Sequence, residues 1–167
     1  MQITSIAMRT AALLALAFLL TTSATGQDLT LHGVSLGDPL PKAMSVLQDS
    51  TNDIRKRSTE WSYKIEAIVR NRTITVAAPA REYDSWRQAR VSEISSSLST
   101  VDVSSQELVE TYNKYKELWS EGLGRTSPTK RGSLYFWSWE TEDIEANITY
   151  TEQGANPHSV DLSISTP

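Results

Sequence analysis

The sequence predicts an α+β fold: an antiparallel sheet with two helices packed on one of its faces, in the order β-α-β-β-β-α-β-β-β. Three observations carry that prediction. Apolar residues recur at every second position through residues 61–67, 144–150 and 160–164, the period of a half-buried strand. Residues 40–47 and 103–124 show the apolar spacing of a helix instead. The remaining strand-like segments follow one another without intervening helices, so the βαβ rhythm of a parallel sheet is missing.

Ahead of these elements, residues 1–26 read as a secretory signal peptide. Arg9 carries the positive charge, residues 11–20 are an unbroken apolar run, and residues 21–26 are small and polar, with cleavage after Ala24 or Gly26. That run is far shorter than the roughly 20 residues a membrane-spanning helix needs, and no later stretch comes closer, so no membrane span is expected. Residues 27–167 have the length of a single domain, read as two pseudo-repeats at about 29–99 and 100–167.

Residues 29–33 form a short strand in this reading. In the turn at 37–39, Asp38 is placed to cap a helix with Pro39 at its first position. Leu40, Ala43, Met44 and Leu47 supply the helical face, which ends near Asp49. Residues 53–57, charged and aperiodic, read as a loop. The strand at 61–67 turns at 70–72 and returns at 73–77; residues 79–86 are a loop. Residues 88–99 have strand composition, with a slip between Val91 and Ile94 of the kind a bulge makes.

The helix at 103–124 is the best specified element. Ser104 and Glu107 have capping-box spacing, and Val103 and Leu108 occupy the hydrophobic-staple positions. Leu108, Tyr112, Tyr115 and Trp119 form one stripe, with Gly122 or Gly124 as the left-handed stop. A cap contributes about 1 kcal/mol, whereas burying four large side chains contributes about 8 kcal/mol as an upper bound. Packing against a sheet therefore decides whether this helix forms. Residues 127–132 then read as a loop, 134–139 as an aromatic strand, 153–157 as a turn, and 144–150 and 160–164 as the strands on either side of it.

The formal net charge is −4, from 16 basic and 20 acidic residues, and loss of Arg9 with a signal peptide makes it one unit more negative. Bases outnumber acids from Arg55 to Arg90 and acids outnumber bases from Val91 onward. This balance argues against nucleic acid, which requires a concentrated basic face. The chain has no cysteine, which excludes disulfides, thiol nucleophiles and a lipid-modified N-terminal cysteine. Export without cysteine fits a bacterial periplasmic or secreted protein.

Signatures of catalysis are sparse, and no cofactor is expected. His32 and His158 lack metal-like spacing and read as surface or capping residues. Glu140, Glu142, Asp143 and Glu145 cluster at a hairpin turn without calcium-loop spacing, so no metal is expected. An acid/base pair of Glu140 or Glu142 with Arg131 is the enzyme alternative, a small periplasmic hydrolase or lyase. Five tryptophans are present, and Tyr135, Trp137 and Trp139 share one face of a strand. If Leu134 and Phe136 face the helices, that aromatic row lies on the far side of the sheet as a candidate partner-binding surface, for an unknown protein, an envelope component or a second copy in a homodimer. The other orientation makes the row part of the core, covering Trp119.

Residues 33–47, GVSLGDPLPKAMSVL, place a glycine before a short apolar pair, then a Gly-x-Pro turn and an amphipathic helix. This stretch resembles the helix-opening motif of small exported bacterial proteins with a helix-plus-antiparallel-sheet repeat: the β-lactamase inhibitory protein fold and the small accessory lipoprotein of the outer-membrane barrel assembly machine. Residues 90–124 look like the strand and second helix of the same families. The chain departs from them in lacking the lipoprotein's cysteine and in having Gln48-Asp49 where a glycine usually ends the first helix. The resemblance implies a fold and a habit of binding proteins through a sheet face, and transfers no functional residue. The functional expectation is thus an exported, non-enzymatic interaction module.

Overall fold

Period-two alternation and two amphipathic helices assemble, in the computed structural model, into one eight-stranded sheet with both helices on the same side. The structure describes residues 29–154 and 156–167, so the expected signal peptide lies outside the described residues. A small hairpin of β1 (Thr30–Leu31) and β2 (Val34–Ser35) precedes α1 (Leu40–Gln48). Next come β3 (Ile54–Ser58), β4 (Ser62–Val69), β5 (Arg72–Pro79) and β6 (Glu93–Ser99). After α2 (Ser105–Leu123) follow β7 (Thr129–Arg131), β8 (Leu134–Glu140), β9 (Glu145–Gln153) and β10 (Asn156–Ser165). Every pairing is antiparallel, in the order β3-β4-β5-β6-β10-β9-β8-β7. A helix followed by a meander thus occurs twice, and the two meanders meet through their last strands.

Helix α2 forms as its sequence dictates. The Ser104 side chain accepts from the Glu107 N–H at 3.2 Å, and Gly124, at φ 93°, ends the helix in a conformation closed to most L residues. Leu108, Tyr115 and Trp119 are buried and Tyr112 is half-buried against the core. Thr111, absent from the predicted stripe, is buried too. The second half of the expected capping box is diverted: Glu107 turns away from the cap to accept from Arg72 Nη2 at 3.0 Å.

Helix α1 buries Leu40, Ala43 and Leu47. Its expected cap differs. Pro39 occupies the N-cap, and the Asp38 carboxylate accepts instead from the Ser35 N–H at 3.2 Å and from Lys42 Nζ at 2.7 Å. The orphan amide of Leu40 goes to the Ala89 carbonyl at 2.9 Å, while Gly37 N–H donates to Val91 O and Val91 N–H to Asp38 O. These bonds explain why β6 begins at Glu93. Residues 89–91 leave the ladder to hold the start of α1, while Ser92 N–H still donates to the Ala77 carbonyl of β5, and this departure is the origin of the slip that reads as a bulge.

Two predicted loops are strands. Residues 53–57 fall largely within β3, and residues 127–132 contain β7. Both are edge strands with little of either face buried, so neither shows an apolar period. Their exposed Arg55, Lys56 and Arg57, and Lys130 and Arg131, place charge on the unpaired edges, where it opposes pairing with another chain.

The two faces of the sheet differ completely. Toward the helices point Ile65 and Ala67 of β4, Ile74 and Val76 of β5, Ile94 and Leu98 of β6, Ala146 and Ile148 of β9, and Val160, Leu162 and Ile164 of β10. These join α1 and α2 in one buried apolar cluster.

Candidate functional site

Tyr135, Trp137 and Trp139 lie on the helix-facing side of β8, not on the opposite side as the binding expectation required. Trp139, 4% exposed, meets Trp119 edge-on at 5.8 Å, and its indole N–H donates to the Gly124 carbonyl at 2.8 Å. Trp137 donates to the Tyr112 hydroxyl at 2.7 Å and stacks on Trp139 at 6.2 Å. Tyr135 packs 5.9 Å from Tyr150 and accepts from Lys130 Nζ at 2.7 Å. The cause is the aromatic stripe of α2, which needs an aromatic surface to cover it. The row is graded: Trp139 is core, whereas Trp137 and Tyr135 are half-buried at the flank of α2. A signal for this orientation was present in β8, since Ser138 and Glu140 share the parity of Leu134 and Phe136 and mark that side as the wet one.

The acid/base alternative is not assembled. Arg131 pairs with Leu134 at one end of β8 and Glu140 closes the other end, a separation of about 20 Å at the usual strand rise. The acidic turn is organised by Thr141, whose hydroxyl oxygen accepts from the Ile144 N–H at 3.0 Å. Among the described residues no group of three His, Asp or Glu is placed to hold a metal ion.

The side of the sheet away from the helices carries a different pattern, traced by the ladder registers. One row across the strands reads Arg57, Lys64, Ala77, Glu93, Ser165, Glu145, Glu140. The next reads Arg55, Glu66, Thr75, Ser95, Ser163, Asn147, Ser138. A third reads Ile68, Thr73, Ser97, Asp161, Thr149, Phe136, Thr129. In the second and third rows the four central strands present short hydroxyls except at Asn147 and Asp161, whereas the first row carries Ala77, Glu93 and Glu145 beside Ser165. Ser97 Oγ donates to Asp161 Oδ1 at 2.5 Å across the β6–β10 pair. Short side chains leave a shallow depression of about 210 Å³ lined by Thr73, Thr75, Ser95, Ser97, Asn147, Thr149, Asp161 and Ser163. Charge is sorted along the first row, with bases at the β3–β4 end and acids from β6 to β8.

A polar cluster that the sequence does not advertise sits on the helix side. His32, in the β1–β2 turn at φ 56°, bonds through Nε2 to the hydroxyl of Ser96 at 2.9 Å and lies 6.4 Å from the Tyr115 ring. Ser96 is 5% exposed, and its parity with Ile94 and Leu98 puts a hydroxyl into the core, where it must find a partner. Burial, reinforced by the positive charges of Arg72 and Lys114, lowers the imidazole pKa to about 4, so His32 is neutral at neutral pH. Beside it Arg72 Nη2 donates to Thr111 Oγ1 at 3.2 Å as well as to Glu107. A cleft of about 530 Å³ runs along this end of α2, between Arg72, Glu107, Thr111, Lys114 and Tyr115. The sequence reads His32 as a surface or capping residue; in the structure it is half-buried and is the group that satisfies Ser96. His158 is the peripheral one, 3.4 Å from Thr100 Oγ1 at the end of the sheet.

No helix among the described residues is long and apolar enough to cross a membrane. No protein-family model, curated protein or solved structure matches the chain.

Proposed function

We propose that this chain is an exported protein that works by binding a partner protein across the bare face of its sheet. The observation that carries this reading is the face itself: eight strands wide, uncovered by either helix, and lined at its centre by hydroxyls. Seven strand spacings of about 4.8 Å, and three two-residue steps of about 6.8 Å along them, span on the order of 700 Å². That is close to the roughly 800 Å² each partner contributes to a standard protein interface, and far more than a small ligand covers. Hydroxyls donate and accept, so the centre accommodates either kind of polar group on a partner. Glu93, Glu145, Glu140 and Asp161 give the β6–β8 half an acidic character that favours a partner with basic side chains.

The test is capture of partners from envelope and culture-supernatant fractions by the purified protein. Replacing the facing pair Ser95 and Ser163 by arginine places two long like charges at the centre of the face, and capture is expected to be lost. A control change on α1, Gln48→Arg, is expected to retain it. Equal recovery by the wild type and the double variant, or none above background with the wild type, refutes the reading.

A further inference from the structure

On the other side of the sheet, the flank of α2 and the chain just beyond it enclose a cleft of about 540 Å³ lined by Lys116, Glu117, Ser120, Glu121, Arg125 and Thr126, with the indole of Trp137 as its wall. We infer that this cleft is a binding site for a neutral saccharide, held by stacking on the Trp137 ring and by hydrogen bonds to its charged rim. The volume lies within the roughly 300–1,000 Å³ of small-ligand sites.

Three features select that ligand class. The indole is fixed before any ligand arrives: its N–H is committed to the Tyr112 hydroxyl at 2.7 Å and its back lies parallel to Trp139, 6.2 Å away. Trp139 in turn holds the Gly124 carbonyl at 2.8 Å, which anchors the chain leading to Arg125 and Thr126. Pre-organisation of this kind spares a ligand the ordering cost. Secondly, what Trp137 has left to offer is a ring face, whose negative quadrupole attracts polarised C–H groups such as those on the apolar side of a pyranose. Lys116 Nζ, at the end of a flexible side chain, lies 5.6 Å from the ring centroid, so a stacked ligand must displace it towards the rim. Thirdly, the rim balances Glu117 and Glu121 against Lys116 and Arg125, so it has no net charge with which to select an ion. Its carboxylates accept from hydroxyls and its cations donate to them, the pairing that a ligand rich in O–H groups uses fully.

The site stands apart from the bare face and does not depend on it. The experiment is saturation-transfer NMR on the full described domain with cellotriose, chitotriose and maltotriose as probes, followed by titration calorimetry with whichever responds. At least one probe is expected to receive saturation at its ring C–H protons, with a dissociation constant of about 1 mM or below. Trp137→Ala is expected to weaken that binding about tenfold or more. Glu121→Gln, on an exposed side chain that leaves the core untouched, is expected to weaken it as well. Trp61→Ala, which removes the most exposed tryptophan elsewhere on the molecule, is expected to leave it unchanged. Absence of saturation with all three probes overturns the inference, as does binding that survives both Trp137→Ala and Glu121→Gln or that falls equally with Trp61→Ala.

Discussion

Replacing His32 by asparagine isolates the one strongly displaced titration among the described residues. In the folded chain the imidazole pKa is about 4, against an ordinary value of 6.5, because burial and the positive charges of Arg72 and Lys114 oppose its protonation. Between those two pH values the unfolded chain binds a proton that the folded chain refuses. Stability therefore falls as pH drops from about 6.5 towards 4, and the contribution is fully present only above the unfolded value. The gap between those two pH values corresponds to about 3 kcal/mol, nearer 2 kcal/mol once the partial exposure of the ring is allowed for. Asparagine suits the site because it tolerates the left-handed φ of 56° and still offers a polar group to Ser96. Carboxylates elsewhere titrate in both proteins and cancel from the comparison. The assay is urea unfolding of the wild type and His32→Asn at pH 7.5 and pH 4. The wild type is expected to lose about 2 kcal/mol more than the variant between the two conditions. A difference below about 0.5 kcal/mol would show that His32 is not a buried neutral group, and the polar cluster around Ser96 would need another account.

Trp119→Ala empties the centre of the aromatic core and is expected to cost about 3–5 kcal/mol by chemical denaturation. Trp119→Phe should cost much less, because the indole N–H it discards is buried with no hydrogen-bond partner among the described residues. Gly124→Ala meets no atom within 4 Å, so its expected cost of about 1–3 kcal/mol is backbone strain alone at φ 93° and ψ 168°; an unchanged melting temperature would show that the helix ends differently. Arg55→Val with Arg57→Val should leave unfolding free energy within about 1 kcal/mol while making sedimentation concentration-dependent, since the exposed charges of β3 guard the edge more than they hold the fold.

What the chain reveals in advance is governed by how much of each element touches the core. Helix α2 is legible end to end because Ser104, the Leu108–Trp119 stripe and Gly124 each encode a separate feature that agrees with the others. The edge strands β3 and β7 are not legible, because a strand without a buried face has no period to read. Strand β8 fails for the opposite reason. Leu134 and Phe136 on one side and Tyr135, Trp137 and Trp139 on the other are both apolar, and only Ser138 and Glu140 distinguish wet from dry. Reading parity across neighbouring strands resolves it: Ile148 pairs with Trp137 and Ala146 with Trp139, so the row must share the side of the β9 core residues.

The same parity exposes where polarity has been placed by choice. On β6 and β10 the outward positions are Glu93, Ser95, Ser97 and Ser99 against Ser165, Ser163, Asp161 and Ser159, a regular polar surface whose groups need no buried partner. The inward positions read Ile94, Ser96 and Leu98 against Ile164, Leu162 and Val160, so Ser96 interrupts an otherwise apolar set directly opposite Leu162. A solvated serine carries no structural information, whereas a buried one predicts a partner from a distant part of the chain. That partner is His32, 64 residues away, held in reach by the β1–β2 turn with Gly33 at φ 79° beside it. The bond thus ties the β1–β2 hairpin to the central strand of the sheet, and it explains why a titratable ring sits at the edge of the cleft formed by Arg72, Thr111 and Tyr115.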